Sequence, residues 1–306
     1  MIIELTKQIK LVRPEAKSMF PYSNSLFIDD AEKAIIDAGA GGRAYAQIPM
    51  EDIKLLLLTH SHFDHINGVS FFKHAKIMAG QEELAILLDE AEYIKSVGYP
   101  RWPELMGTPF QSRWEKVNLP QDIPAHLGFQ PINIDSVFVD GSIFATGATS
   151  FIAVHTPGHS PGHYAFFFPR ERILFSGDLD LSMRGPWYGG ESCDLDDLIN
   201  SIRRLISLKP QLLVTSHRRV IDSGIDELFA QYLQIAFARE AKILKYIAEP
   251  RTIDEIAGQQ IINEWERNEY TLFSYKMMII KHLERLMRMG RAGKTADGRY
   301  VDISSA

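Results

Sequence analysis

Thr59-His60-Ser61-His62-Phe63-Asp64-His65 places three histidines and an aspartate within six residues. Burying that many polar rings without partners costs about 1–3 kcal/mol each, so a shared partner is the economical explanation. Imidazole and carboxylate suit Zn, Fe or Mn. In an extended loop, side chains two apart point to the same side. His60 and His62 are thus expected to grip one ion, while Asp64 and His65 at the turn reach a second.

Outward from this run, residues 54–58 read as a short buried strand that feeds the histidines. Residues 25–28 and 34–36 read as a strand pair ending at Asp37-Ala38-Gly39. Downstream, 66–74 has helical character, 76–78 reads as a strand and 81–94 as a helix carrying Leu84, Ile86, Leu87 and Leu88. The pattern dissolves between residues 99 and 131, where Pro100, Pro103, Pro109, Pro120 and Pro124 sit among Trp102, Phe110 and Trp114. Such a loop serves either as a lid or substrate wall, or as a surface excursion packed on its own aromatics.

Residues 132–175 are strand-rich, including 151–154, 164–168 and 172–175. Asp194 is placed to cap a helix with Leu195, Leu198, Ile199, Ile202, Leu205 and Ile206 on one face. Pro210 ends it, and a last strand at 212–214 runs into His217. Beyond residue 220 the texture turns helical. Residues 225–247 form a long helical run, Thr252 and Glu255 match a capping box, and 272–289 keeps helical apolar spacing up to Gly290. Asp297-Gly298 reads as a hairpin turn. A boundary near residue 222 divides the chain into 1–222 and 223–306.

The 306 residues are 45% hydrophobic and 24% charged, an ordinary globular composition. A formal net charge of −6 argues against a surface built wholly to hold nucleic acid. The single cysteine, Cys193, rules out an intrachain disulfide and a thiolate metal cage; it reads as a small buried residue. The start of the chain lacks signal-peptide character and no apolar run is long enough to span a bilayer, so a cytoplasmic protein without membrane contact is expected.

The run 59–65 resembles the THxHxDH signature of the metallo-β-lactamase fold superfamily, particularly its glyoxalase-II-like hydrolases. Further elements follow in order: Thr156-Pro157-Gly158-His159-Ser160, Ser176-Gly177-Asp178, and Thr215-Ser216-His217. Asp37 matches an aspartate at the end of an early strand, and the resemblance covers roughly residues 10–220. It implies an α/β fold, a four-layer αββα sandwich. It also implies a first metal on His60, His62 and His159, a second on Asp64, His65 and His217, and Asp178 bridging both. Each lies just after an apparent strand, where loops converge on one sheet edge. His155 and His163 are better read as structural residues that orient ligands.

The chemistry expected of such a site is hydrolysis. Two divalent cations, zinc in the first instance with iron or manganese as alternatives, lower the pKa of a shared water and polarise the scissile group. Asp64 is the candidate catalytic base. The segment 184–190 follows the bridging aspartate. Its Arg184 is a candidate for a substrate carboxylate or phosphate, and Trp187 and Tyr188 for an apolar wall; the alternative is a loop packed over the next helix.

The C-terminal helices and hairpin resemble a winged-helix domain, which some members of the superfamily carry. Between Lys276 and Arg299 lie seven basic residues (Lys276, Lys281, Arg285, Arg288, Arg291, Lys294, Arg299) against two acidic ones, Glu284 and Asp297. A dimerising or site-walling role is favoured over nucleic-acid contact, and the apolar helical tail is compatible with a homodimer. The leading reading is a hydrolase of a small thioester, lactone or related ester. The alternatives are an endoribonuclease acting on single-stranded RNA, an iron persulfide dioxygenase, and a transcription regulator with a vestigial enzyme domain.

Overall fold

The computed structural model describes residues 1–112, 117–262 and 268–304; Trp114 of the proline-rich segment lies outside the described residues. A first sheet follows chain order: β1 (Ile2–Glu4), β2 (Ile9–Val12), β3 (Ser25–Ile28), β4 (Lys33–Ile36), β5 (Ile53–Leu57), β6 (Lys76–Gly80) and β7 (Ser136–Phe138). Strands β1 to β4 are antiparallel to one another, and β4 to β7 are parallel. A second sheet holds β8 (Ile143–Ala145), β9 (Ser150–His155), β10 (Tyr164–Phe168), β11 (Ile173–Phe175) and β12 (Leu212–Val214). Only its β11–β12 pair is parallel.

Most of these strands are apolar on both faces, and the period-two alternation sorts their residues into layers. Leu26, Ile36 and Leu57 of the first sheet share a cluster with Phe151, Phe166, Phe175 and Val214 of the second. Their sequence neighbours Phe27, Ile35 and Leu56 face outward onto Tyr45 of α1 (Gly42–Tyr45), Phe72, and Leu87 of α3 (Leu84–Leu88). Between these helices lies the single turn of α2 (Phe63–Ile66). On the far side, Val154, Ala165, Leu174 and Leu213 pack under α6 (Leu195–Ser207), whose stripe is the expected Leu195, Leu198, Ile199, Ile202 and Leu205. Asp194 caps that helix by accepting from the backbone N–H groups of Asp196 and Asp197. The result is the four-layer αββα sandwich that the resemblance implied.

Two local expectations change. The helix read across 81–94 is broken at Asp89, which is extended and caps a separate helix α4 (Glu90–Val97) by accepting from Glu92 N–H. The proline-rich segment divides its roles. Tyr99 and the short helix α5 (Trp102–Met106) join Phe110 and Phe273 in an aromatic cluster, while residues 124–133 wall a groove beside α2.

Beyond residue 222 come α7 (Ile225–Tyr246), α8 (Ile253–Ala257), α9 (Glu269–Arg288) and a hairpin of β13 (Ala292–Lys294) and β14 (Tyr300–Asp302). The Thr252–Glu255 capping box is formed. These helices share a core with α6: Phe229, Ala236 and Ile243 of α7 and Ile279, Leu283 and Leu286 of α9 join Leu198 and Ile202 in one cluster. Ile279, Leu283 and Leu286 of the apolar face that suggested a dimer are therefore covered within the chain, while Leu272 and Met289 stay exposed. Among the described residues, no helix is long and apolar enough to cross a membrane.

The basic stripe is also largely consumed inside the molecule. Lys276 pairs with Asp254, Lys281 with Glu284, Arg285 with Asp196 and Glu240, Arg288 with Asp194 and Asp196, and Arg299 with Glu255 and Asp297.

Trp102 is 2% exposed and stacks on Phe273 of α9 at 4.9 Å, so it bolts the irregular segment to the C-terminal helices. Trp102→Ala is expected to destabilise the protein by about 3–5 kcal/mol in urea unfolding; a loss below about 1 kcal/mol would mean that the aromatic cluster is not holding that contact.

Candidate metal centre

Sheet geometry brings the chemistry-bearing loops to one edge. In the parallel β4–β5 pair Ile36 lies opposite Leu57, so Asp37 and Thr59-His60 leave the sheet side by side. The parallel β11–β12 pair puts Phe175 opposite Val214, and Asp178 and His217 emerge together in the same way. The 156–163 turn joins β9 to β10, and Tyr164 N–H donates to Thr59 C=O (2.9 Å), tying the second sheet to the first beside the histidines.

Close backbone approach is part of this construction. A Cβ on Gly39 would fall 1.7 Å from the Asp64 carbonyl oxygen, which accepts from Ser23 Oγ. Gly177 has φ +56°, and a Cβ there would meet His163 Nε2 at 2.5 Å. Asp37 adopts φ +61°, unusual for a residue with a side chain. Its carboxylate accepts from Thr59 N–H (2.8 Å), Thr59 Oγ1–H (2.9 Å) and His65 Nδ1–H (2.8 Å).

Seven side chains fall into two sets, each with ligand atoms within 4.8 Å of one another. His60, His62, His159 and Asp178 form one; Asp64, His65 and His217 form the other. Asp178 stands between them. Its Oδ2 lies 3.2 Å from His159 Nε2 and 3.9 Å from His60 Nε2, and its Oδ1 lies 3.0 Å from His65 Nε2 and 3.1 Å from His217 Nε2.

Hydrogen-bond partners assign the tautomers. Thr59 Oγ1 gives its proton to Asp37, so His60 Nδ1–H donates to Thr59 Oγ1 at 2.9 Å. His65 Nδ1–H donates to Asp37, His159 Nδ1–H to Trp187 C=O (3.1 Å), and His217 Nδ1–H to Ser18 C=O (3.3 Å). Each of these rings therefore turns its Nε2 inward, able to ligate once that nitrogen carries no proton. His159 Nε2 meets His62 Nδ1 at 2.9 Å. His60 Nε2, His65 Nε2 and Asp178 Oδ1 are buried without hydrogen-bond partners. Converging lone pairs and carboxylates of this kind are balanced by protons or by a cation, and an all-nitrogen-and-oxygen set suits a divalent transition metal.

The protonation pattern follows from the same geometry. Burial and the neighbouring imidazoles hold His60 and His62 well below the usual histidine range. Burial also opposes charge on His65, but Asp178, Asp37 and Asp64 outweigh it and raise this histidine well above that range. His217 is likewise opposed by burial yet raised to about 9 by Asp178 and Asp64. Asp64 is raised by burial. Asp178 is lowered because His65 and His217 overcome its desolvation.

The remaining sequence candidates are placed differently. His163 accepts from Asp178 N–H at Nε2 (3.1 Å) and lies beside Thr156 Oγ1 at 2.8 Å, while His155 Nε2–H donates to Pro161 C=O (2.8 Å). Neither is in the two sets. Trp187 stands over the first set, its ring 5.3 Å from His62 and 5.2 Å from His159. Arg184 is exposed at the start of that loop. Tyr188, read as part of an apolar wall, is instead fully buried and faces the C-terminal helices: it donates to His282 Nε2 (2.7 Å) and accepts from Arg239 (3.1 Å). Arg239 also donates to the carbonyls of Arg184 and Pro186, so α7 and α9 clamp the segment that carries Trp187. Cys193 is buried, and burial raises its thiol to about 12.

Sequence reasoning missed Glu83. Fully buried, it accepts from Ser61 N–H (3.2 Å), Gly162 N–H (3.0 Å) and Ser160 Oγ–H, stitching the His60 loop to the His159 loop. In the sequence it is one of two adjacent glutamates at a helix start, a place where acids are ordinarily solvated.

Residues 19–217 match the profile described as the metallo-beta-lactamase superfamily. An atrochrysone carboxyl ACP thioesterase of Aspergillus fumigatus is 25% identical over 239 residues, 74% of this chain, but the match spans only 61% of that protein. A hydroxyacylglutathione hydrolase of Haemophilus influenzae is 27% identical over 64% of this chain and 84% of its own. Among solved structures, a metallo-beta-lactamase family protein from Thermus thermophilus shares the fold, with TM-score 0.78 and 24% identity over 98% of this chain and all of that one.

Two outcomes follow from the geometry. Asp37→Asn replaces an acceptor facing His65 Nδ1–H by an amide, and is expected to weaken zinc binding about 10–100-fold in chelator competition with the fold intact; unchanged affinity would remove Asp37 from the site. An entering ion must displace the protons that His65 and His217 carry at neutral pH, so zinc affinity is expected to rise with pH and level off above about 9. Calorimetry in buffers of different ionisation enthalpy reads the protons released, and an affinity flat across that range would contradict the assignment.

Proposed function

The chain belongs to the metallo-beta-lactamase superfamily, and on that footing we propose that it is a metal-dependent hydrolase of a small thioester, lactone or related ester. The observation that carries this reading is Asp178, which offers one carboxylate oxygen to each of two histidine-rich sets. His60, His62 and His159 would hold one divalent ion, Asp64, His65 and His217 a second, and Asp178 would bridge them. When bound, such a pair lowers the pKa of a water and polarises the scissile carbonyl. Zinc is the first candidate, with iron and manganese as alternatives.

The chain's own groups do the rest. Asp64 Oδ2, 3.3 Å from His217 Nε2, is the acceptor for the proton of the attacking water. Asp37, Thr59, Trp187 and Ser18 hold the imidazoles in one tautomer, so no reorientation is needed during turnover. Trp187 shields the first set from solvent. No Ser or Cys nucleophile is required, in keeping with the inert thiol of Cys193. The thioesterase and the hydroxyacylglutathione hydrolase among its relatives support the ester-type substrate.

We also read residues 223–306 as a winged-helix-like unit that walls and holds the site. The ion pairs of Lys276, Lys281, Arg285, Arg288 and Arg299 reduce the free cationic surface that suggested the RNA-cleaving alternative, which favours the ester-type reading. Asp64→Ala and His159→Ala are each expected to lower kcat on a thioester or lactone at least ~100-fold while leaving the unfolding midpoint of the metal-free protein near wild type. Purified protein that takes up no transition metal, measured by elemental analysis, would end this reading.

A further inference from the structure

The hydrolase reading leaves the acyl portion of the substrate unspecified, and one cavity bears on it. Beside the metal centre lies a groove of about 650 Å³, within the range of small-ligand sites. Its apolar walls include Phe63 and Ile66 of α2, Ile86 and Leu87 of α3, Tyr93 of α4, and Phe129. Lys73 and Asp135 are the charged side chains among its described walls, and both are exposed. No pair of cations is present among those residues to receive a polyanionic group.

The groove is joined to the candidate metal ligands. Ser61, Ile86 and Tyr93 also line a narrow crevice of about 30 Å³, whose other walls include His62, His159 and Trp187. Alternation along the 60–65 run explains the adjacency. His60 and His62 turn toward the first set with Ser61 between them bordering the groove, and the α2 turn then brings Asp64 and His65 to the second set while Phe63 and Ile66 line the groove. A carbonyl held at the metal centre would thus sit next to Ser61, Ile86 and Tyr93, the residues through which the groove meets the crevice.

Resting on the hydrolase reading, we propose that this groove seats an unbranched apolar acyl arm, so that the site selects esters or thioesters of medium-chain fatty acids over acetyl or polyanionic acyl groups. Burial of each added methylene in such a groove raises affinity up to about fourfold. The rise stops where the arm outgrows the walls.

Two measurements separate this proposal from the reading beneath it. The first is kcat/KM of the zinc-loaded protein on p-nitrophenyl esters from acetyl to decanoyl. The second is calorimetric binding of acetate, butanoate, hexanoate, octanoate and decanoate to the metal-free and zinc-loaded protein. The expected result is a two- to fourfold gain per methylene from butanoyl to octanoyl in both series, with the slope flattened in Ile66→Ser and Phe129→Ser. The second variant replaces a half-buried rim residue and guards against a folding defect in the first. Hydrolysis of the acetyl ester with no dependence on chain length would overturn the groove and leave the hydrolase standing. Chain-length-dependent alkanoate binding without hydrolysis of any ester would do the reverse. Alkanoate affinity that ignores chain length, or a slope unaltered in both variants, overturns the proposal whatever the activity.

Discussion

The carboxylate of Asp178 is largely enclosed between two histidine-rich sets, with its Oδ1 buried, and the architecture around it answers to that charge. A carboxylate out of water is costly unless paired, and here each of its oxygens lies within 3.2 Å of an imidazole nitrogen. The parallel β11–β12 pair delivers Asp178 and His217 to the same edge. The positive φ of Gly177 turns the chain there without a side chain to strike His163, and His163 fixes the backbone of Asp178 by accepting its N–H. What looks like a histidine cluster is, in energetic terms, a set of groups arranged around one negative charge.

Around that centre a second ring of bonds does the orienting. Asp37 directs its three hydrogen bonds to Thr59 and His65, and Glu83 directs its three to Ser61, Ser160 and Gly162. The two acids work differently. Asp37 chooses a tautomer through direct contact with a ring. Glu83 touches no ring and instead fixes the distance between two loops from different sheets. Both are wholly buried, and in both the carboxylate lies near hydrogen-bond saturation.

Much of this could be read from the chain because it is local. His60 to His65 are contiguous, and the later elements at His159, Asp178 and His217 each follow an apolar run that ends in a small-residue turn. Individual strands and the Leu195–Leu205 stripe were legible as elements, while their arrangement as a sandwich came from the resemblance that these motifs carry. What could not be read depends on contacts between distant segments. Asp89 breaks a run of good helix formers because its side chain caps the following helix. Tyr188 has the composition of a cleft wall and is turned inward by Arg239 and His282, which lie 51 and 94 residues away. The basic stripe looked open because the acidic partners of several of its cations, such as Asp196, Glu240 and Asp254, belong to other helices.

The clamp on residues 184–190 carries a thermodynamic consequence. One side of this short segment gives its carbonyls to Arg239 on α7 and the Tyr188 hydroxyl to His282 on α9. At Trp187 the same segment gives a carbonyl to His159. Order in the terminal helices and order in the first ligand set are therefore linked by a short run of covalent backbone, and linkage is reciprocal. Whatever tightens His159 also withdraws freedom from α7 and α9, and fraying of those helices is felt as slack at the imidazole. The C-terminal quarter of the chain is thus an anchor whose own stability is partly set by what the histidine-rich edge has bound.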